Sequence, residues 1–249
     1  MAPQRDKARQ VKIIASAAVL VLVIVLGYLS AGRGSTSSGT AVNAAASSNS
    51  GAPATPADPS APSSAPFPDE ARRIPGDPYA LGNVKAPVVM VVWSDFQCPF
   101  CGHFARETEP TLVKQFVDAG VLRIEWRDFP YLGKESELAA VAGRAAAAQG
   151  KFWQFHDLVY AHEHRVNHGD LSAAHLREYA AAAGLDLARY DADVKANRGA
   201  DKVQADLSEG VALGITGTPA FLINGQPVLG AQPTATFVAM IQQAAAAAK

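Results

Sequence analysis

The chain has 249 residues, with 22 basic and 23 acidic side chains, a formal net charge of −1 and two cysteines. This length allows one or two domains. The near-neutral charge provides no basic surface for nucleic acid, so we expect no nucleic-acid partner. Two cysteines exclude a disulfide-rich scaffold and a zinc site with four cysteine ligands.

The first 29 residues have the composition of a membrane anchor with a basic tip. Residues 1–12 carry four basic side chains and one acidic one, and residues 13–29 carry no charge. The uncharged segment is at the short end for a transmembrane helix. The preceding positive charges predict that the N-terminus is cytoplasmic and that the rest of the chain lies outside the cell membrane. A cleaved signal peptide is the alternative, but its apolar core is usually shorter.

Residues 30–66 consist mainly of Ser, Ala, Gly, Pro and Thr. Such a segment cannot bury enough apolar surface to offset the entropy of ordering, so we expect a disordered linker. From residue 67 to residue 249 the composition becomes globular, and this length is sufficient for one substantial core.

The globular part begins with a β-α-β pattern. Residues 88–93 (VVMVVW) form an apolar, β-branched run that predicts a central strand buried on both faces. Residues 99–119 predict a helix with a kink or break near Pro110. Residues 121–129 (VLRIEWRDF) alternate in the manner of a second strand.

The remaining part predicts helices followed by a hairpin and a final helix. A helical stretch extends over about residues 136–213, with breaks at Gly150, at residues 167–169 and at Gly184. Asn224-Gly225 lies between two short apolar runs and predicts a β-hairpin. An Ala-rich helix follows from residue 234, and the whole pattern indicates an α/β domain.

Both cysteines lie at the predicted strand-to-helix junction, in the sequence Cys98-Pro99-Phe100-Cys101. The positive end of the helix favours a thiolate at Cys98, and Pro99 suits the first helical turn. Cys101 lies one turn further on, where it can resolve a mixed disulfide. A C-x-x-C pair can also be half of a zinc site, but its position here favours redox chemistry.

Two arguments for metal binding can be made, and both are weaker than the argument for redox chemistry. Haem attachment requires a histidine directly after the second cysteine, and Gly102 stands there before His103. Zinc could recruit His103 or the five histidines from His156 to His175, but a solvated helix end and loop is the favoured explanation of that cluster. We therefore expect no metal and no bound cofactor.

Three segments carry a resemblance to a known family. These are WSDFQCPFCGHF around the cysteines, residues 127–160, and GITGTPAFLING at residues 214–225. Together they resemble the thioredoxin superfamily, and within it the DsbA-like group that has a helical insertion. The resemblance covers about residues 78–247. It implies a thioredoxin fold with the insertion at about 136–213 and a redox-active disulfide between the two cysteines as the only redox group.

The resemblance also assigns roles to individual residues. It implies that Cys98 is the nucleophile and that Cys101 is the resolving cysteine, with Pro99 and Phe100 between them. Pro219 matches the cis-proline that lies opposite the disulfide, and Thr218 precedes it. Its backbone is then available to pair with an extended substrate.

Three positions depart from the family pattern. Phe100 stands where strong oxidants of the group carry histidine, Thr218 stands where they often carry valine, and Val92 stands where many relatives have a buried acid. Asp95 is the nearest acid before Cys98, and a proton relay and an ordinary loop aspartate are equally good interpretations. These departures leave the redox potential open between about −120 and −270 mV.

The expected function is an extracytoplasmic thiol:disulfide oxidoreductase that introduces disulfides into exported, cysteine-containing proteins. A quinone-linked membrane oxidoreductase would reoxidise it. The alternatives are a reductase or isomerase of the same fold, and a tethered peptide-binding module that uses the surface around Phe100 and Pro219.

Overall fold

The computed structural model describes residues 67–248. The predicted basic tip, membrane anchor and linker therefore lie outside the described residues. Within residues 67–248, no helix is both long enough and apolar enough to cross a membrane.

The sheet has five strands in the described residues, in the order β1-β3-β2-β4-β5. They are β1 (Ala80–Leu81), β2 (Val88–Ser94), β3 (Leu122–Asp128), β4 (Ala220–Ile223) and β5 (Gln226–Leu229). Strands β2 and β3 are parallel, and the other neighbouring pairs are antiparallel. The two-residue β1 was not predicted, because it is too short to show a hydrophobic period.

Strand β2 is central and completely buried, as predicted. Val88, Met90 and Val92 lie in the larger core, which also contains both cysteines. Trp93 lies in a smaller core on the opposite face of the sheet. Because side chains alternate along a strand, Ser94 points to the same face as Val92 and the cysteines.

The helical segment after β2 is continuous but changes its hydrogen-bond pattern. It comprises α1 (Pro99–His103), a π-helical segment (Phe104–Thr108), α2 (Glu109–Leu112) and a second π-helical segment (Val113–Val117). The chain remains helical across Pro110, so a break there is wrong, and the alternative of a kink stays a prediction. The hydrogen-bond pattern changes from π to α at Glu109, directly before Pro110, which has no N–H to donate.

Five helices form the insertion between β3 and β4. They are α3 (Lys134–Ala147), α4 (Phe152–Tyr160), α5 (Ala173–Ala182), α6 (Leu187–Lys195) and α7 (Ala200–Ala212). The predicted breaks at Gly150 and Gly184 are confirmed by positive φ angles. A further break, between α6 and α7, was not predicted. It has positive φ at Asn197 and Gly199.

The hairpin and the last helix complete the domain. Asn224 and Gly225 have φ of 45° and 79°, as a tight hairpin turn with two left-handed residues requires. Helix α8 (Thr234–Ala247) then returns to the sheet. Phe237 of α8 packs on Phe221 of β4, with ring centroids 4.9 Å apart.

A buried carboxylate attaches the start of the domain to β3. Glu125 accepts hydrogen bonds from Arg123 Nε at 2.8 Å and from Arg127 Nη2 at 3.1 Å. It also accepts the backbone N–H groups of Arg72 and Arg73, each at 2.9 Å. The start of the domain therefore covers the charged face of β3, and Glu125 pairs with both arginines, although the buried Nε of Arg127 has no hydrogen-bond partner among the described residues.

A second set of buried charges connects the insertion to the sheet. Arg144 of α3 donates to Asp128 of β3 at 2.6 Å and to Asp206 of α7. Arg72 also pairs with Asp206, at 2.7 Å. The guanidinium of Arg144 lies 4.1 Å from the ring centroid of Tyr79. These contacts hold α3 and α7 in place on the sheet.

We expect Glu125→Gln to lower the free energy of unfolding by about 3 kcal/mol, because it leaves the buried Arg123 without its carboxylate and Arg127 with only the longer contact to Glu209 at 3.5 Å. Urea denaturation followed by tryptophan fluorescence measures the change. Glu178→Gln, at an exposed position on α5, is the matched control. Equal stability of the two variants would contradict the structural role of Glu125.

The same carboxylate makes the free energy of unfolding depend on pH. Burial opposes its ionisation, but hydrogen bonds from Arg123, Arg127 and the backbone lower the pKa of Glu125 to about 2. Its stabilising contribution is therefore present above the unfolded pKa of about 4.3 and is lost as the pH falls towards 2. We expect this part of the acid transition to be absent from Glu125→Gln.

Candidate active site

Cys98 lies at the junction that the sequence predicted, as the N-cap residue of α1. Its backbone N–H donates to the carbonyl of Asp95 at 2.9 Å, which closes the turn after β2. Pro99 occupies the first turn of α1. Cys98, Pro99 and His162 also line one small surface pocket.

The two cysteines are free thiols in different environments. A hydrogen bond from the Cys101 thiol lowers the pKa of Cys98 to about 6, although burial acts to raise it. Hydrogen bonds from the Thr218 hydroxyl and from two backbone N–H groups also act to lower this pKa. Burial raises the pKa of Cys101 well above its ordinary value. The pair therefore has one sulfur that ionises more readily than an ordinary thiol and one that ionises less readily.

The Thr218–Pro219 peptide bond is cis and lies beside Cys98. The Cys98 thiol donates to the Thr218 carbonyl, with an S–O distance of 3.2 Å. The Thr218 hydroxyl is buried and has no hydrogen-bond partner among the described residues. It is thus available to donate to the Cys98 sulfur when that sulfur is ionised.

Asp95 links two loops beneath the cysteines. Its carboxylate accepts the backbone N–H groups of Gln97 at 2.9 Å, Tyr131 at 3.0 Å and Leu132 at 3.1 Å. Burial raises the pKa of Asp95, and these hydrogen bonds oppose that rise. The contacts explain a loop-anchoring role, and a role as proton relay stays a prediction.

Exposed aromatic side chains and an apolar groove surround the cysteines. Phe100 is 66% exposed, and Tyr131, which sequence reasoning missed, is 43% exposed. Beside the cis-proline loop lies a groove of about 510 Å³, bordered by Phe67 and Leu229. These surfaces suit an extended peptide that passes over Cys98.

Two further residues near the cysteines were missed. The buried hydroxyl groups of Ser94 and Tyr160 lie 3.0 Å apart, and the Tyr160 ring packs against the backbone at Gly102. The alternation from Val92 to Ser94 would have placed Ser94 on the cysteine side of β2. No local signal identifies Tyr160, because it comes from the insertion.

The histidines do not converge on one point. His156 is buried, with Nδ1 2.9 Å from Asp157 Oδ1. His164 lies 2.7 Å from the Val159 carbonyl, and His175 lies 2.9 Å from the Gly169 carbonyl. Residues 67–248 contain no group of three or more potential metal ligands close enough to hold an ion.

Comparison with solved structures relates this architecture to proteins of known fold. A family model described as "Thioredoxin" matches residues 75–243. BdbD from Bacillus subtilis, in its oxidised form, aligns with a TM-score of 0.64 and 22% identity over 68% of this chain and 92% of that one. Wolbachia pipientis α-DsbA1 aligns with a TM-score of 0.63 and 25% identity over 70% of this chain and 94% of that one.

Curated relatives include two kinds of protein. The Na(+)/H(+) antiporter NhaA 3 of Salinispora tropica is 34% identical over 181 residues, which cover 71% of this chain and 26% of the antiporter. This chain thus spans about a quarter of that relative's length. The "Probable disulfide bond formation protein D" of Bacillus cereus is 30% identical over 152 residues, 59% of this chain and 69% of that protein.

We expect Thr218→Val to raise the pKa of Cys98 by about one unit, because it removes a hydroxyl donor to the thiolate. A pH titration of the ultraviolet absorbance of the thiolate measures the shift. Thr216→Val, which alters an exposed threonine of the same loop, is the control. An unchanged pKa in the Thr218 variant would show that the hydroxyl does not reach the ionised sulfur.

Proposed function

The chain belongs to the thioredoxin family, and on this premise we propose that it is an oxidase that introduces disulfides into other proteins. The observation that carries the proposal is the contrast between its two sulfurs. Cys98 has a pKa of about 6 and lies beside the Thr218 carbonyl, whereas Cys101 is buried and has a raised pKa.

This contrast suits thiol–disulfide exchange. A substrate thiolate attacks Cys98 Sγ of the oxidised pair, a new S–S bond forms to Cys98, and Cys101 leaves as a thiolate. A second substrate thiolate then attacks the substrate sulfur of this mixed disulfide, and Cys98 leaves as a thiolate. The substrate loses two electrons and gains a disulfide, and the enzyme becomes a dithiol.

The low pKa of Cys98 supports the oxidising direction. A thiolate with a low pKa is a good leaving group, so the mixed disulfide is resolved readily by the substrate. Stabilisation of the thiolate also stabilises the reduced enzyme, which makes its disulfide a stronger oxidant.

The substrates we propose are exported proteins with pairs of cysteines, outside the cytoplasm, where disulfides persist. Residues 13–29 would anchor the domain to the cell membrane, and residues 30–66 would be its linker. A quinone-linked membrane oxidoreductase would return the enzyme to the disulfide form. The groove beside the cis-proline loop supports binding of substrates as extended peptides.

Oxidative refolding of a reduced, disulfide-containing test protein checks this function. We expect Cys98→Ser to abolish turnover, because no sulfur remains to accept the attack. Cys101→Ser should accumulate mixed disulfides with the test protein, which non-reducing gel electrophoresis detects. Undiminished turnover in Cys98→Ser would contradict every form of thiol exchange at this site, and turnover absent from the unaltered chain would favour a binding module.

The redox potential decides the direction. Equilibration of the full chain with glutathione buffers should give a potential well above that of thioredoxin, which is about −270 mV. A value near about −250 mV or lower would contradict the oxidase and favour a reductase of the same fold.

A further inference from the structure

A buried pair of hydroxyl groups lies behind Cys101, and the exchange steps above do not use it. Ser94 is the last residue of β2, and Tyr160 is the last residue of α4. Their oxygens are 3.0 Å apart, and both side chains are buried. The Tyr160 hydroxyl also donates to the carbonyl of Asp95 at 2.9 Å.

The number of protons determines the direction of these hydrogen bonds. A phenol has one proton, and that of Tyr160 goes to the Asp95 carbonyl. The Tyr160 oxygen can then only accept from Ser94. The Ser94 proton is the one that can rotate, because a serine hydroxyl turns freely about its C–O bond.

Cys101 lies on the Ser94 side of β2. The Tyr160 ring, whose hydroxyl is 3.0 Å from that of Ser94, packs against the backbone at Gly102, the residue after Cys101. Burial raises the pKa of Cys101, whereas the Ser94 hydroxyl and the backbone N–H of Asp95 act to lower it. The titratable groups around it are the Cys98 thiol, the Tyr160 phenol and the Asp95 carboxyl, which already accepts three backbone N–H groups. The His156 ring lies 4.9 Å from that of Tyr160.

We propose that Ser94 is a switchable hydrogen-bond donor for the resolving cysteine. Its proton rests on the Tyr160 oxygen while Cys101 is a thiol or part of a disulfide, and turns to the sulfur when Cys101 becomes a thiolate. This inference rests on the proposed thiol exchange and assigns the two buried hydroxyl groups to it.

The switch acts in both directions of one step. When a substrate thiolate attacks Cys98, the Cys98–Cys101 bond breaks and its electron pair leaves on Cys101, where Ser94 stabilises it. In the reverse step, the Cys101 thiolate attacks Cys98 Sγ, the disulfide re-forms and the substrate leaves as a thiolate. No further oxidant or reductant is required in either direction.

The reverse step gives the test. The full-length dithiol chain reacts with glutathione disulfide; Cys98 first forms a mixed disulfide, and Cys101 then displaces glutathione. Acid quenching and mass spectrometry of the intact chain separate the two rates between about pH 6 and 11, a range that extends well above the ordinary thiol pKa because burial raises that of Cys101.

Ser94→Ala should raise the pH midpoint of the second step by about one unit, since it removes a hydrogen bond to a charged group. Thiolate nucleophilicity rises with pKa, so the second step should be about threefold slower below the midpoint and about threefold faster on the high-pH plateau. Tyr160→Phe should lower the midpoint by about half a unit, because it removes the acceptor that competes for the Ser94 proton.

Two variants serve as controls. Ser94→Thr keeps the hydroxyl and should retain the original midpoint. Thr108→Val removes another buried hydroxyl, which bonds Thr234 at 2.9 Å, and should leave the profile unchanged.

Several results would overturn the proposal. One is an unchanged midpoint in Ser94→Ala, and another is a rate that falls equally at every pH, as a packing defect would cause. If Ser94→Ala does not fold, Tyr160→Phe decides, and an unchanged or higher midpoint there would overturn the switch. Failure of thiol exchange itself would appear differently, as no mixed disulfide at Cys98 in the unaltered chain.

Discussion

The contrast between two sulfurs three residues apart is the constraint on which the site depends. A helix places residue 101 about one turn beyond residue 98, so Cys98 caps the helix N-terminus and Cys101 lies within the first turn, and both side chains are buried. Free N–H groups and the Thr218 hydroxyl favour charge on Cys98. Burial disfavours charge on Cys101. One short helix thus provides both a good leaving group and a shielded partner.

This contrast requires that α1 is held at a fixed place on the sheet. Strand β2 is buried on both faces, and it ends four residues before Cys98, the N-cap residue of α1. Asp95 binds the turn after β2 to the loop after β3 through three backbone hydrogen bonds. Behind them, Glu125 and the Arg144 cluster fix β3 and the insertion. Glu125 supports the site from the opposite face of the sheet, whereas Asp128 shares a face with Trp126 and places the Arg144 cluster on the same side as the cysteines.

Local patterns predicted the features that are encoded locally. The strand from Val88, the junction at Cys98 and the Asn224-Gly225 turn each depend on neighbouring residues. The buried charges of β3 could not be predicted, because the segment that covers Glu125 lies more than fifty residues earlier in the chain. His156 likewise appeared to belong to a solvated cluster, yet it is buried among aromatic rings that only the folded insertion brings together.

The hydroxyl groups of Ser94 and Thr218 also meet the cysteines only in the folded chain, so local patterns could not identify their role. Their chemistry indicates why hydroxyl groups, and not carboxylates, lie near the two sulfurs. A carboxylate at Val92 would bring a charge into the larger core, with the desolvation cost of any buried ion. Ser94 and Thr218 bring no charge, and each can donate to a sulfur once that sulfur is ionised. Such donors stabilise thiolates without stabilising the disulfide. Both hydroxyls therefore favour the reduced pair, which is the property that makes its disulfide an oxidant.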